Sequence, residues 1–96
     1  MLVRIVRMDF QPDKVEDFLS LFQEVQPVIR SFEGCHHLEL CQDADHETVY
    51  YTLSKWTGQE ALDNYRQSEF FKNTWAKTKV LFQDKPKAYS LLSGLD

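Results

Sequence analysis

Apolar and polar positions along the chain fall into short runs with clear breaks between them. Leu2-Val3-Arg4-Ile5-Val6-Arg7-Met8-Asp9-Phe10 is rich in β-branched and aromatic side chains and predicts a first strand. Both of its parity sets are apolar, Val3 and Ile5 against Leu2, Val6, Met8 and Phe10, as expected of a strand covered on both faces. Gln11-Pro12 breaks the run, and Asp13 with Glu16 three residues on forms a capping-box pattern that predicts a helix start. Val15, Phe18, Leu19, Phe22, Val25, Val28 or Ile29, and Phe32 then follow helical spacing. Pro27 within that run predicts a kink or a released last turn, and Gly34 a stop. Cys35 to Cys41 alternates and predicts a second strand, in which His36 shares the parity of Leu38 and Leu40 and is expected to face the core.

After the polar turn Gln42–His46, Thr48–Trp56 predicts a third strand that forms a hairpin with the second. Thr57-Gly58-Gln59-Glu60 repeats the capping pattern and opens a second helical region, whose apolar members are Ala61, Leu62, Tyr65, Phe70, Phe71, Trp75, Val80 and Phe82. Their spacing slips at Gln67-Ser68-Glu69, which predicts two helical pieces joined there. Lys85-Pro86 ends the region, and Ala88–Leu92 predicts a last strand. The order β-α-β-β-α-β predicts an α+β, ferredoxin-like sandwich, an antiparallel sheet with its helices on one face. Tyr50 and Trp56 share one parity of the third strand and Val49, Tyr51 and Leu53 the other, so both sheet faces carry bulky apolar groups. A second copy of the chain is the simplest cover for the helix-free face, which predicts a homodimer through the sheet.

Composition narrows the picture. With 96 residues, 43% apolar and 14% aromatic, the chain is expected to form one domain over residues 1–96 and is too apolar for disorder. Eleven Lys and Arg against fifteen Asp and Glu leave −4, which argues against a nucleic-acid platform. Lys72, Lys77, Lys79, Lys85 and Lys87 against Asp84 concentrate +4 in residues 72–87, while residues 33–47 hold five acids and no Lys or Arg. Solvated surface or complementary patches across a dimer contact would account for both. No apolar run approaches the ~18 residues of a membrane span. Met1 leads into a strand rather than a signal peptide, and the two cysteines make no disulfide framework, so a cytoplasmic home is expected. On a regular strand Cys35 and Cys41 share a face and stand ~20 Å apart, too far to pair.

The chain resembles the antibiotic biosynthesis monooxygenase (ABM) family of dimeric α+β barrels over nearly its whole length. The resemblance lies in the element order, the Phe32-Glu33-Gly34-Cys35 turn, the strand ending at Trp56, Gly58-Gln59-Glu60-Ala61-Leu62 and Ser68-Glu69-Phe70-Phe71. It implies a back-to-back dimer with a small pocket between sheet and helices in each subunit. Family activities include cofactor-free oxygenation of polyphenols, haem degradation and processing of small metabolic compounds. Members often carry an acid two places before the tryptophan, where this chain has Ser54, and a histidine at the place of Tyr65. The haem-degrading branch uses a histidine on the second helix, near Trp75. Here His36, His37 and His46 all precede residue 47, so that ligand is missing.

Among the chemistry-bearing residues, Cys35 and His37 share a strand face, but two ligands fall short of the four of a structural zinc site, and no metal is expected. His36 is the first acid–base candidate and His37 the second, because imidazole titrates near neutrality. Tyr65 offers a hydroxyl as a third catalytic candidate, and Trp56, Trp75 and Phe71 offer flat walls for an aromatic ligand. Gly34, Gly58 and Gly94 are the only glycines, so neither a dinucleotide fingerprint nor a P-loop exists and no cofactor is expected. No nucleophile elbow is present either. The resemblance, taken with these residues, implies a cofactor-independent monooxygenase acting on a small aromatic or enolic compound. The alternatives are an isomerase or degradative enzyme on a small carbonyl metabolite, and a non-catalytic dimeric module that binds a small ligand.

Overall fold

The alternating segments pair into one antiparallel sheet of order β2-β3-β1-β4, in a computed structural model that describes residues 1–94. Its strands are β1 (Leu2–Asp9), β2 (Cys35–Gln42), β3 (Val49–Trp56) and β4 (Lys87–Leu92). The helices are α1 (Val15–Arg30), α2 (Gln59–Arg66) and α3 (Glu69–Lys79). The result is the expected α+β, ferredoxin-like arrangement. Register places Leu2 opposite Trp56, Arg4 opposite Ser54, Val6 opposite Thr52 and Met8 opposite Tyr50, and these residues form the helix-covered face. Val3, Ile5, Leu53, Tyr89 and Leu91 fall on the other face.

α1 buries Phe18, Phe22, Val25 and Ile29 at helical spacing, and Val28 is exposed, which resolves the choice between Val28 and Ile29. The Asp13 capping box does not form. Pro12–Lys14 make a 3-10 turn, α1 starts after Lys14, and no side chain caps it. Proline fits that first tight turn because its missing N–H would be unpaired there anyway. The helix also runs through Pro27 to Arg30, so its last turn is not released. The second capping pattern fails as well: Gly58 is the cap of α2, and the Thr57 hydroxyl instead contacts the Gly34 carbonyl and His36. The predicted break is present, and Ser68 caps α3 by accepting from the Phe71 N–H at 3.0 Å.

One residue changes the reading of β2. Cys35 pairs with Trp56 and His37 with Lys55, so His36 is the extra residue of a β-bulge. A bulge reverses parity on one side of itself. Cys35 therefore joins Leu38 and Leu40 on the helix-covered face, and His36 is exposed rather than core-facing. The two cysteines consequently lie on opposite faces, not the same one, and both are free. Gly34 makes this corner possible. Its φ of +85° suits glycine, and a Cβ there would sit 2.5 Å from the Cβ of Ala61.

Candidate functional site

Inward parity on the two central strands is not wholly apolar. Arg4 on β1 and Thr52 and Ser54 on β3 interrupt Leu2, Val6, Met8, Tyr50 and Trp56. A cavity of about 450 Å³ lies between this mixed floor and the helices. Phe18, Phe22 and Val25 of α1 form one wall, and Tyr65, Phe71 and Trp75 of α2 and α3 form the other. Arg66 and Ala88 also border it and are exposed, so the cavity reaches solvent between the end of α2 and β4.

The aromatic wall is a continuous run of rings. Trp56 stacks on Tyr65 at 5.1 Å, Tyr65 meets Phe71 edge-on at 5.1 Å, and Phe71 stacks on Trp75 at 6.0 Å. Such separations lie within the favoured range for aromatic pairs and fix each ring against its neighbour. Trp56 is the anchor. It is 1% exposed, and its Nε1–H donates to Ser54 Oγ at 2.9 Å. Ser54 thus satisfies the one polar atom of the largest core residue.

Tyr65 is held by the rings of Trp56, Phe32 and Phe71, and its hydroxyl makes no hydrogen bond among the described residues. Burial, and secondarily the nearby Cys35, push its pKa well above the ordinary range, so it remains a neutral donor at physiological pH. Arg4 donates from Nη1 to Ser90 Oγ at 2.9 Å. Its pKa is lowered by burial and then by the charge of Arg66, with Asp63 acting in the opposite sense.

Four of the six sequence candidates line the cavity: Trp56, Tyr65, Phe71 and Trp75. The two histidines do not. His36 Nε2 lies 2.8 Å from Thr57 Oγ1 at the bulge, and His37 Nε2 lies 2.9 Å from Glu39 Oε1 on the helix-free face. Arg4, Ser54, Thr52 and Arg66 went unrecognised as lining. Their signal was available for the strand residues, as polar side chains in the parity that otherwise builds the core.

The family model described as "Antibiotic biosynthesis monooxygenase" matches residues 1–77. The chain belongs to the ABM family. It is 28% identical over 81 residues to "Putative monooxygenase YcnE" of Bacillus subtilis, covering 84% of this chain and 85% of that protein. A 77-residue stretch is 27% identical to a protein of Natronomonas pharaonis named "Putative heme-binding protein", covering 80% of this chain but only 13% of that relative's length. A crystal structure of an antibiotic biosynthesis monooxygenase shares the fold with a TM-score of 0.90 at 18% identity, covering 98% and 99% of the two chains. Rv0793 from Mycobacterium tuberculosis does so at 0.88 and 23%, covering 99% and 95%. The ABM match ends within α3, so Ala88 at the open side of the cavity lies beyond it. No histidine lines the ABM cavity, so its donor set does not fit a haem held through imidazole. Among the described residues no group of three or more His, Cys, Asp or Glu is placed to hold a metal ion, and no helix is long and apolar enough to cross a membrane.

Proposed function

We propose that the cavity binds a small aromatic or enolic compound and that the chain oxygenates it without a cofactor. The observation that carries this reading is the cavity itself, about 450 Å³ in volume, walled by Trp56, Tyr65, Phe71 and Trp75 with a few polar groups at its floor. Membership of the ABM family supports a monooxygenase-type role. The chemistry needs an electron-rich substrate anion. That anion passes one electron to dioxygen, the resulting radical and superoxide join at carbon, and the peroxide loses water to leave a carbonyl. A methylene plus dioxygen becomes a carbonyl plus water, so no outside reductant is consumed. Within this scheme the rings exclude water and orient the substrate plane, and the neutral Tyr65 hydroxyl donates to the oxyanion. His36 and His37, outside the cavity, take no part, and the first proton leaves to solvent at the open side.

Oxygen uptake across a panel of anthrone- and hydroquinone-type compounds tests the reading. Uptake above the buffer rate is expected for at least one compound, and Tyr65→Phe is expected to lower kcat on the order of 10²-fold, the cost of losing one oxyanion donor. Uptake at the buffer rate throughout would reject it. One observation favours a second reading, a non-catalytic ligand-binding module: no His, Asp, Glu or Lys lines the cavity. Tight binding of panel members without turnover would select it. The same observation weighs against an isomerase on a carbonyl metabolite, which needs a paired acid and base.

Self-association through the helix-free sheet face completes the proposal. Tyr89 and Leu91 on β4 are 52% and 50% exposed, beside Ile5 and Val3 on β1. An apolar face of that kind favours a two-fold partner, and a second copy of the chain presents the same face. Light scattering at micromolar concentration should give twice the chain mass, and Leu91→Asp should halve it. A monomer mass for the unmodified chain would refute the dimer.

A further inference from the structure

Packing explains most of the cavity lining but leaves two residues over. Arg4 extends from the centre of the sheet, in the parity of Leu2, Val6 and Met8, where a further apolar side chain would fill the space. Arg66 closes α2, a position that suits a cation at a helix C-terminus, yet it also borders the cavity. Neither arginine makes an ion pair with a carboxylate; among the described residues those pairs are Lys14–Asp17 and His37–Glu39. Arg4 spends one N–H on Ser90, and a guanidinium carries five. The two cations are near enough that Arg66 disfavours the charge on Arg4, and this effect is larger than the support Arg4 receives from Asp63. Bringing like charges together beside an apolar cavity is unfavourable unless an anion neutralises them.

We propose that Arg4 and Arg66 form an anion-recognition end of the cavity, which holds an anionic oxygen group, a carboxylate or a phenolate, on a ligand whose ring lies against Trp56, Phe71 and Trp75. The inference rests on the cavity being a ligand site, and it is independent of any oxygenation there. Guanidinium is the suited cation: its planar fork pairs with two oxygens at once and its flat face tolerates an aromatic neighbour. The apolar wall and the paired charges together select a planar aromatic anion over a neutral aromatic of the same shape, and over a small inorganic anion without a ring. For a phenolic ligand the same charges favour the ionised form.

A matched pair of probes tests this by calorimetry: 2-naphthoate and its neutral counterpart 2-naphthamide. The unmodified chain should bind naphthoate about tenfold more tightly, the scale of one charge-assisted contact. Arg4→Gln combined with Arg66→Gln should remove that preference while naphthamide still binds, which shows that the cavity still folds. Raising salt should weaken naphthoate alone. In a second arm, 4-nitrophenol should bind with its apparent pKa lowered by the unmodified chain and not by the double variant. Preference in the first arm only identifies a carboxylate ligand, and in the second only a phenolate. Equal binding of naphthoate and naphthamide together with an unshifted nitrophenol, or a preference that survives the double substitution, overturns the anion site and leaves the cavity reading standing. Binding of none of the probes overturns both.

Discussion

The two faces of the sheet are built from the same kinds of residue and meet different fates. On the helix-covered face, Leu2, Met8, Leu38, Tyr50 and Trp56 are buried. On the opposite face, Val3, Ile5, Tyr51 and Leu53 are only half-buried, and Tyr89 and Leu91 stand open. Strand alternation therefore specifies that a residue points up or down, and the helices decide which direction becomes core. The covered face also has polar intrusions: Arg4, Thr52 and Ser54 line the cavity. The open face carries charges as well: Arg7 on β1 stands between Tyr51 and Lys87, and Lys55 and Glu39 border Val3, Ile5, Leu53, Tyr89 and Leu91. One face holds an internal void with a charged corner, and the other an exposed apolar patch bordered by charges. The first suits a small ligand and the second a large partner.

Paired truncations put this contrast to its strongest test. Trp56→Ala should cost about 3–5 kcal/mol, because it empties a fully buried ring site and removes the stack under Tyr65. Leu91→Ala, at a position of equal strand regularity on the other face, should change the stability of an isolated subunit by less than about 0.5 kcal/mol. Urea midpoints measured in dilute solution check both. A loss below about 1 kcal/mol for Trp56→Ala would mean that the inner face does not carry the fold.

A smaller effect probes the polar intrusions. Ser54→Ala keeps the backbone and strands the buried Trp56 N–H, at a cost of about 1–3 kcal/mol. Ser54→Asp would supply a stronger acceptor but bury a charge beside it, so the two substitutions separate hydrogen bonding from charge. Equal stability for Ser54→Ala and the unmodified chain would show that water from the cavity replaces the hydroxyl.

How far the sequence foretold this depends on the residue. Strands and helices were legible because alternation, Pro12, Gly34 and the slip at Gln67-Ser68-Glu69 are local signals that tertiary structure did not override. The aromatic wall was legible too, since Tyr65, Phe71 and Trp75 keep one face of the region across the break. The bulge misled because it shifts parity by one residue, which turns His36 outward and Cys35 inward. Its trace was present: Cys35-His36-His37-Leu38 holds two polar residues in succession in an otherwise alternating run. Arg66 left no such trace, because a cation ending a helix has a sufficient local reason to be there. Both capping patterns failed for a related reason, as a 3-10 turn and Gly58 claimed the positions that the spacing gave to Asp13 and Thr57.

The smallest effects concern pH, where the two faces should fail at opposite ends of the scale. On the covered face Tyr65 has a raised pKa, chiefly through burial and then through Cys35. A raised value means the stabilising state is the protonated one, fully present below the ordinary tyrosine value of 10.0 and lost as pH rises above it. The slope should approach about 1.4 kcal/mol per pH unit in strongly alkaline solution, and Tyr65→Phe should remove it. On the open face Glu39 has a lowered pKa, first through the hydrogen bond to His37 and then through Cys41. A lowered value reverses the sign: its contribution is present above the ordinary glutamate range and is lost as pH falls through the folded value. Because Glu39 is exposed, the loss should be too small for urea denaturation and visible only as a displaced carboxyl titration by NMR. His37→Asn should return that titration toward the ordinary value, and Glu39→Gln should leave the acid limb of the stability profile unchanged. If the acid limb moved substantially instead, Glu39 would be buried in the molecule as it exists in solution. That result would place Glu39 inside the interface of the proposed dimer and not at its rim.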